Sequence, residues 1–520
     1  MDAPIRPSRL SESRKDTAAA LHRQRTLVSC NVQGQRPATL DHKRAAAKEQ
    51  DCWEPKYLKA VGPPVEFRPN RRRWGTLVSS HSQRSVLNWL RNAPWITAQR
   101  ISIYPKLFVA AYVLTYILWV STMHGMVDRE GTAIGADFIN SWGGSYLALS
   151  GHPQQVYDLA MIHVAERAAV GGQEVSLCGW YYPPTFLLIV LPLALVPYLW
   201  ALAAWTLATL AAYLSVLWKT APWKQTVWLA LAFPGAWINL INGQNGFLSA
   251  ALLGGGLLYL EQQPVLAGFL FGLLVIKPHL GIFVPLVLVL SRRWQCLLAA
   301  TVSSLGIIAL SLLAFGPETW LTFFHSIWLP HWIVLEQGAI PYSYQQSVFA
   351  AARLWGLSLR IAYAVQALAA LSAALVLVWL WTGNCSYRLK AAALVICGLL
   401  ATPYLFDYDL TLVGVGIAWL AIEGIERGFL PFEKSALVLA WLAPIADRAV
   451  AKYALIPLSP LLNIVLLAFI TVLAARSQSG KMSESAESVS TAATATATPG
   501  SAIRPQTTRR SGPSPITPDK

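Results

Sequence analysis

The chain has 520 residues, of which 55% are hydrophobic and only 13% charged, with a mean hydropathy of +0.44. A soluble globular chain carries about 25% charged residues, so this deficit, together with repeated long apolar runs, excludes an ordinary soluble domain. It points to a polytopic membrane protein, and spans of this kind must be helices because lipid offers no partner to open backbone groups.

The net charge of +15 is unevenly placed: residues 1–105 hold 19 Lys/Arg against 8 Asp/Glu. By the positive-inside rule the N-terminus is cytoplasmic. Attraction to anionic lipid headgroups accounts for Arg71, Arg72 and Arg73 without a nucleic-acid partner. Residues 1–100 read as a disordered basic tail, without sustained periodicity and without the apolar core of a cleavable signal peptide.

A membrane domain over residues 101–476 follows. Its apolar runs begin near 107–123 and end near 457–475. The run 184–218 is too long for one span of about 20 residues and is interrupted by Pro192 and Pro197. It reads as a short re-entrant piece plus one helix, or as two short helices. Charge favours the former. Lys219 and Lys224, Arg292 and Arg293, Arg388 and Lys390, Arg427 and Lys434, and Arg476 are all cytoplasmic if 184–218 crosses once. That gives about twelve spans with both ends inside. Residues 477–520, rich in Ser, Thr, Ala and Pro, read as a second disordered tail. On this topology two long segments face outward: 124–183, with two Arg and six Asp/Glu, and 316–356, dense in interfacial aromatics such as Trp320, Trp328 and Trp332.

The same topology gathers polar breaks on the outer side. Asp137 follows the first span directly, either as a helix cap or as a functional carboxylate. Tyr182, Gln244, Asn245, Lys277, Asp407, Asp409, His325, His331, Gln346 and Arg353 join it. Ionisable residues at membrane depth mark functional paths, although Lys277 is also placed to snorkel and Asn245-Gly246 is also an ordinary turn pair. Taken together they suit group transfer: a carboxylate base for a hydroxyl acceptor, cations for a departing phosphate, and amides and aromatic faces for a sugar. The six cysteines show neither metal spacing nor a disulfide framework. No P-loop, dinucleotide fingerprint, zinc motif or nucleophile elbow occurs, so neither a cofactor nor a metal is expected.

In the order of these features the chain resembles glycosyltransferase family 87, the polyprenol-phosphate-mannose-dependent mannosyltransferases of GT-C fold. The matching pieces are Asp137-Phe138, Ser150-Gly151-His152-Pro153 with Val156-Tyr157-Asp158, Tyr182-Pro183-Pro184, Gly243-Gln244-Asn245, Ala267-Gly268 to Lys277-Pro278, Arg292-Arg293-Trp294, Gln346-Ser347 and Pro403 to Asp409. The resemblance implies a GT-C-type all-α bundle with interfacial helices in its outer loops, in the cytoplasmic (inner) membrane. It implies inverting transfer of a hexose from a polyprenyl-phosphate donor to a lipid or glycan acceptor on the extracytoplasmic face, among membrane lipids. Asp137 is the implied general base, and a loop histidine, His331 or the nearby His325, is implied in the site. The competing reading is a transporter or flippase of a lipid-linked glycan, to which many helices with Gly/Pro breaks are also suited. The internal repeat expected of a transporter is not seen in the sequence.

Overall fold

The computed structural model describes residues 80–496, with side chains described over 86–478. Among the described residues there are helices, turns and three isolated bridges, but no strand. Six helical stretches are long and apolar enough to cross a membrane: Ala98–Ser121, Tyr198–Thr220, Trp294–Glu336, Leu359–Thr382, Asp407–Arg427 and Leu458–Gln478. Shorter apolar helices, among them Gly246–Tyr259 and Pro264–Ile276, lie between them. The fold is an all-α polytopic membrane protein, as the composition predicts.

The helices differ widely in how much of their surface is covered. Ala98–Ser121 starts at Thr97, whose hydroxyl accepts the Arg100 N–H, and it leaves Leu107, Leu114, Ile117 and Leu118 open to the surroundings. The helix Tyr387–Ala401 is the opposite case, buried without interruption from Ala391 to Ala401. Its Ala391-Ala392-Ala393 run and Gly398 keep the side chains small, so Leu359–Thr382 and Thr411–Arg427 can pack closely on it. In lipid, where burial of apolar surface gives little drive, such close contact is what joins helices.

Side-chain contacts sort the connections into two ends. At one end Lys219 reaches the Tyr259 hydroxyl, Arg293 pairs with Glu261, Tyr387 donates to Leu257 O, Arg388 pairs with Glu426, and Arg427 with Glu433. Ser435 then donates to Leu90 O. The basic boundaries picked out by charge counting therefore share one end. Asp137, Tyr182, Gln244, Lys277, Asp407 and Asp409 meet at the other, through the contacts described below.

Within the run 184–218 one helix, Tyr198–Thr220, is long and apolar enough to cross a membrane. Pro184–Val190 and Leu191–Leu195 leave Tyr182 and return to the same end. There Ser145 Oγ donates to Leu191 O at 2.6 Å, Trp142 Nε1 to Val196 O at 3.1 Å, and Tyr198 Oη to Ile134 O at 2.6 Å. Pro192 and Pro197 end the short pieces, and Tyr198–Thr220 then runs to the basic end. The long stretch beginning at Trp294 breaks at Gly316, where φ is 76° and ψ 166°, before Pro317. The helix Phe138–Leu149 makes a second close approach. A Cβ on Gly144 would stand 2.8 Å from the Trp180 ring, so only glycine lets Trp180 lie flat on this helix.

Helices reach into both of the stretches read as tails. The amphipathic helix Ser80–Asn92 lies within the N-terminal stretch predicted to be disordered. It is held where Phe432 N donates to Arg91 O at 2.9 Å, beside the Ser435 bond. The last helix runs from Leu458 to Thr496, past the boundary predicted at 476. Expectations for residues 1–79 and 497–520 lie outside the described residues.

Candidate active site

Asp137 stands at the first residue before Phe138–Leu149, but its side chain makes no cap bond. The plain capping role is therefore not the one it has. Its backbone N–H donates to Asn242 O at 3.1 Å, which ties the first outer loop to the turn 242–246. From that turn Gln244 Nε2 donates to Asp137 Oδ2 at 3.0 Å, and the Tyr182 hydroxyl donates to Gln244 Oε1 at 3.0 Å. Gly246 makes the turn possible: a Cβ there would lie 2.4 Å from Tyr408 O and 2.6 Å from Asn239 Oδ1. Asp137 is only partly covered. Its Oδ1 has a single long contact, Cys178 Sγ at 3.9 Å. Burial raises the Asp137 pKa above the usual carboxylate value. The Gln244 bond opposes this, Asp407 adds to it, and Arg448 and Lys277 oppose it.

A ring of charge surrounds this carboxylate. Lys277, turned inward where Leu273–Ile276 meets Pro278, donates to Asp409 Oδ1 at 2.6 Å. Its ammonium lies 4.8 Å from the centre of the Tyr408 ring and 6.0 Å from that of Tyr182. Asp407 Oδ2 accepts from Arg448 Nε at 2.5 Å, and the Arg448 guanidinium covers the Tyr344 ring at 4.3 Å. The neighbouring Asp447 anchors that helix end by accepting the Ser459 N–H at 3.1 Å and the Ser459 hydroxyl. Gln346 N donates to Leu405 O at 2.8 Å, bringing the second outer loop alongside 403–409.

Several buried polar atoms here have no partner: both side-chain atoms of Asn245, Gln346 Nε2 and Asp407 Oδ1. A native interior leaves few such atoms. Unpaired amide and carboxylate groups clustered about one open carboxylate are what a polyhydroxylated ligand would satisfy. Among the described residues, no group of three or more His, Cys, Asp and Glu side chains is placed to hold a metal ion.

Of the residues singled out from sequence, contacts join Asp137, Gln244, Tyr182, Lys277 and Asp407, with Asn245 and Gln346 adjoining them. His331 and Arg353 make other bonds. His331 Nε2 lies 3.0 Å from the Tyr363 hydroxyl and 3.5 Å from Glu336. Arg353 donates to the Tyr342 hydroxyl at 3.2 Å and to Leu357 O at 2.6 Å, which folds the second outer loop on itself. Arg448 was not anticipated. Its signal was available, since an arginine directly after the apolar run 435–447 sits at membrane depth. In sequence it passes for a helix boundary.

The bundle gathers a cluster of polar and charged side chains at one end of its helices. Residues 180–403 match the model of glycosyltransferase family 87. Over these residues the chain resembles that family, a likeness that supports a membrane glycosyltransferase. The matched region contains Tyr182, Gln244, Asn245, Lys277, His331, Gln346 and Arg353, while Asp137, Asp407 and Arg448 fall outside it. No curated protein and no solved structure matches the chain.

Proposed function

We propose that the protein moves a mannosyl residue from a polyprenyl-phosphate donor to a lipid or glycan acceptor at the outer face of the cytoplasmic membrane, with inversion at the anomeric carbon. The chain passes the bilayer twelve times with both ends inside. The observation that carries this reading is the Asp137 carboxylate: one oxygen is held by Gln244 and the other has only a long contact with Cys178 Sγ.

In this mechanism Asp137 Oδ1 takes the proton from an acceptor hydroxyl as that oxygen attacks the sugar C1. The bond from C1 to the phosphate oxygen breaks, and the polyprenyl phosphate leaves with the electron pair. Arg448 is the cation best disposed to receive it. Its side chain is 46% exposed and only Nε is engaged by Asp407, whereas the Lys277 ammonium is enclosed and paired with Asp409. The guanidinium fork suits phosphate oxygens better than a point charge. Asn245, Gln346 and Asp407 take the sugar hydroxyls, and the prenyl chain stays among membrane lipids.

The test is transfer of label from polyprenyl-phosphate mannose, glucose and arabinose to a membrane lipid extract by the purified protein. Label moving from mannose supports the reading. No transfer from any donor, with flipping of a lipid-linked glycan instead, overturns it. Arg448→Lys is expected to lower kcat/KM for the donor by about 10²-fold, in line with loss of one transition-state donor. An unchanged value would remove Arg448 from the phosphate site.

A further inference from the structure

A second enclosed carboxylate adjoins the site, and the transfer proposed above makes no use of it. Glu166, on the helix Leu159–Ala169, is fully buried. Its two oxygens receive the Cys178 N–H at 3.2 and 3.3 Å, and Oε2 lies 3.3 Å from Nδ1 of the partly exposed His163. The other side of Cys178 faces Asp137: Sγ is 3.9 Å from Asp137 Oδ1 and accepts from Asn140 Nδ2 at 3.3 Å. A single residue of the 175–182 strap therefore separates the two carboxylates. The strap continues to Trp180, seated on Gly144, and to Tyr182, which holds Gln244.

A neutral glutamine oxygen would accept the Cys178 N–H without the cost of burying a charge. Besides His163, the charged group that this carboxylate meets is Asp137, across Cys178. Burial raises the Glu166 pKa to about 7; His163 and the Cys178 N–H oppose the rise, and Asp137 adds to it. The other groups in the field of Glu166 are Cys178, Tyr181 and Tyr198. Asp137 is faced in addition by Gln244, Tyr182, Tyr198, Tyr408, Asp407, Arg448 and Lys277.

We propose that Glu166 is a positioning residue that clamps the 175–182 strap against Asp137 and couples its own protonation to that of Asp137. This rests on Asp137 being the base. Two like charges so placed titrate as a pair, and removing one makes the other easier to ionise.

The test is the pH profile of kcat/KM for wild type, Glu166→Gln, Glu166→Ala, His163→Gln and Asp137→Asn in the purified full chain. Glu166→Gln keeps an acceptor for Cys178 and removes the charge, so the acid limb moves to lower pH by about half a unit or more. Glu166→Ala also releases the strap, and its plateau falls further than that of Glu166→Gln. His163→Gln removes the ring nitrogen 3.3 Å from Glu166 Oε2 that opposes the rise at Glu166, so the acid limb moves to higher pH. This substitution is at the partly exposed edge of the pair and keeps the test open should the Glu166 variants fail to fold. An acid limb that stays in place in Glu166→Gln and His163→Gln overturns the proposal. If Asp137→Asn retains activity, it is the reading of Asp137 as base that falls.

Discussion

Asp137→Asn is expected to lower sugar transfer by about 10²–10⁴-fold, the usual contribution of a positioned general base, while the protein remains folded. The amide oxygen can still accept from Gln244 Nε2, so the turn 242–246 and the Asp137 N–H bond to Asn242 O have no reason to move. What is lost is the second oxygen's basicity. The pH dependence follows from the raised pKa: the acid limb of the wild-type profile lies above the usual carboxylate range, because burial disfavours the ionised form.

The same shift has a stability consequence of known sign. The folded state holds the Asp137 proton more tightly than the unfolded state. Stability therefore declines as pH rises from the unfolded pKa through the folded one, and above that window the ionised carboxylate is a net burden. Asp137→Asn should accordingly melt no lower than wild type at neutral pH, and it should lose the wild-type dependence of Tm on pH in that window. A mutant that is inactive because it is unfolded would melt lower. Retained transfer in a folded mutant would exclude Asp137 as the base.

Lys277→Met is expected to have the largest effect on stability. The ammonium and the Asp409 carboxylate are both almost wholly enclosed, with side-chain exposures of 4% and 1%. Removing the cation strands a buried anion, a change of about 3–5 kcal/mol. Asp409 cannot reach water without opening the 403–410 segment, where its Oδ2 also holds the Phe406 N–H at 3.3 Å. Pairing Lys277→Met with Asp409→Asn should restore most of the loss, since the neutral amide still accepts that N–H. Thermal unfolding of the detergent-solubilised single and double mutants measures the coupling. A single mutant as stable as wild type would mean that the pair contributes nothing.

The sequence was informative about depth and poor about direction around the bundle. Positive boundaries located Lys219, Arg293, Arg388 and Arg427 at one end, and the polar breaks at Gln244, Lys277 and Asp407 at the other, because a bilayer sorts charge along its normal. Which of the residues at one level face each other depends on how the helices are arranged laterally. The partners there are far apart in the chain, 107 residues for Asp137–Gln244 and 132 for Lys277–Asp409. His331 and Arg353, expected beside this cluster, bond instead to Tyr363, Glu336, Tyr342 and Leu357. Glu166 gave no signal at all: on an amphipathic helix read as part of an outer loop, a glutamate looks solvated until Phe138–Leu149 and the 175–182 strap close over it. The helix Ser80–Asn92 was missed because what defines it is docking on residues 432–435, a contact no local pattern contains.

The Gln244 amide is where this site acquires polarity. A glutamine amide is nearly symmetric in shape but opposite in sense at its two ends, and by itself Gln244 could present either end to Asp137. The Asn245 N–H, which can only donate, meets one of those ends at 3.2 Å, and that end must be oxygen; the Tyr182 hydroxyl donates to the same atom at 3.0 Å. The nitrogen is thereby turned toward the carboxylate, so Oδ2 meets a donor and Oδ1 does not. A backbone amide and a phenol that do not touch Asp137 thus decide which of its oxygens stays without a strong donor.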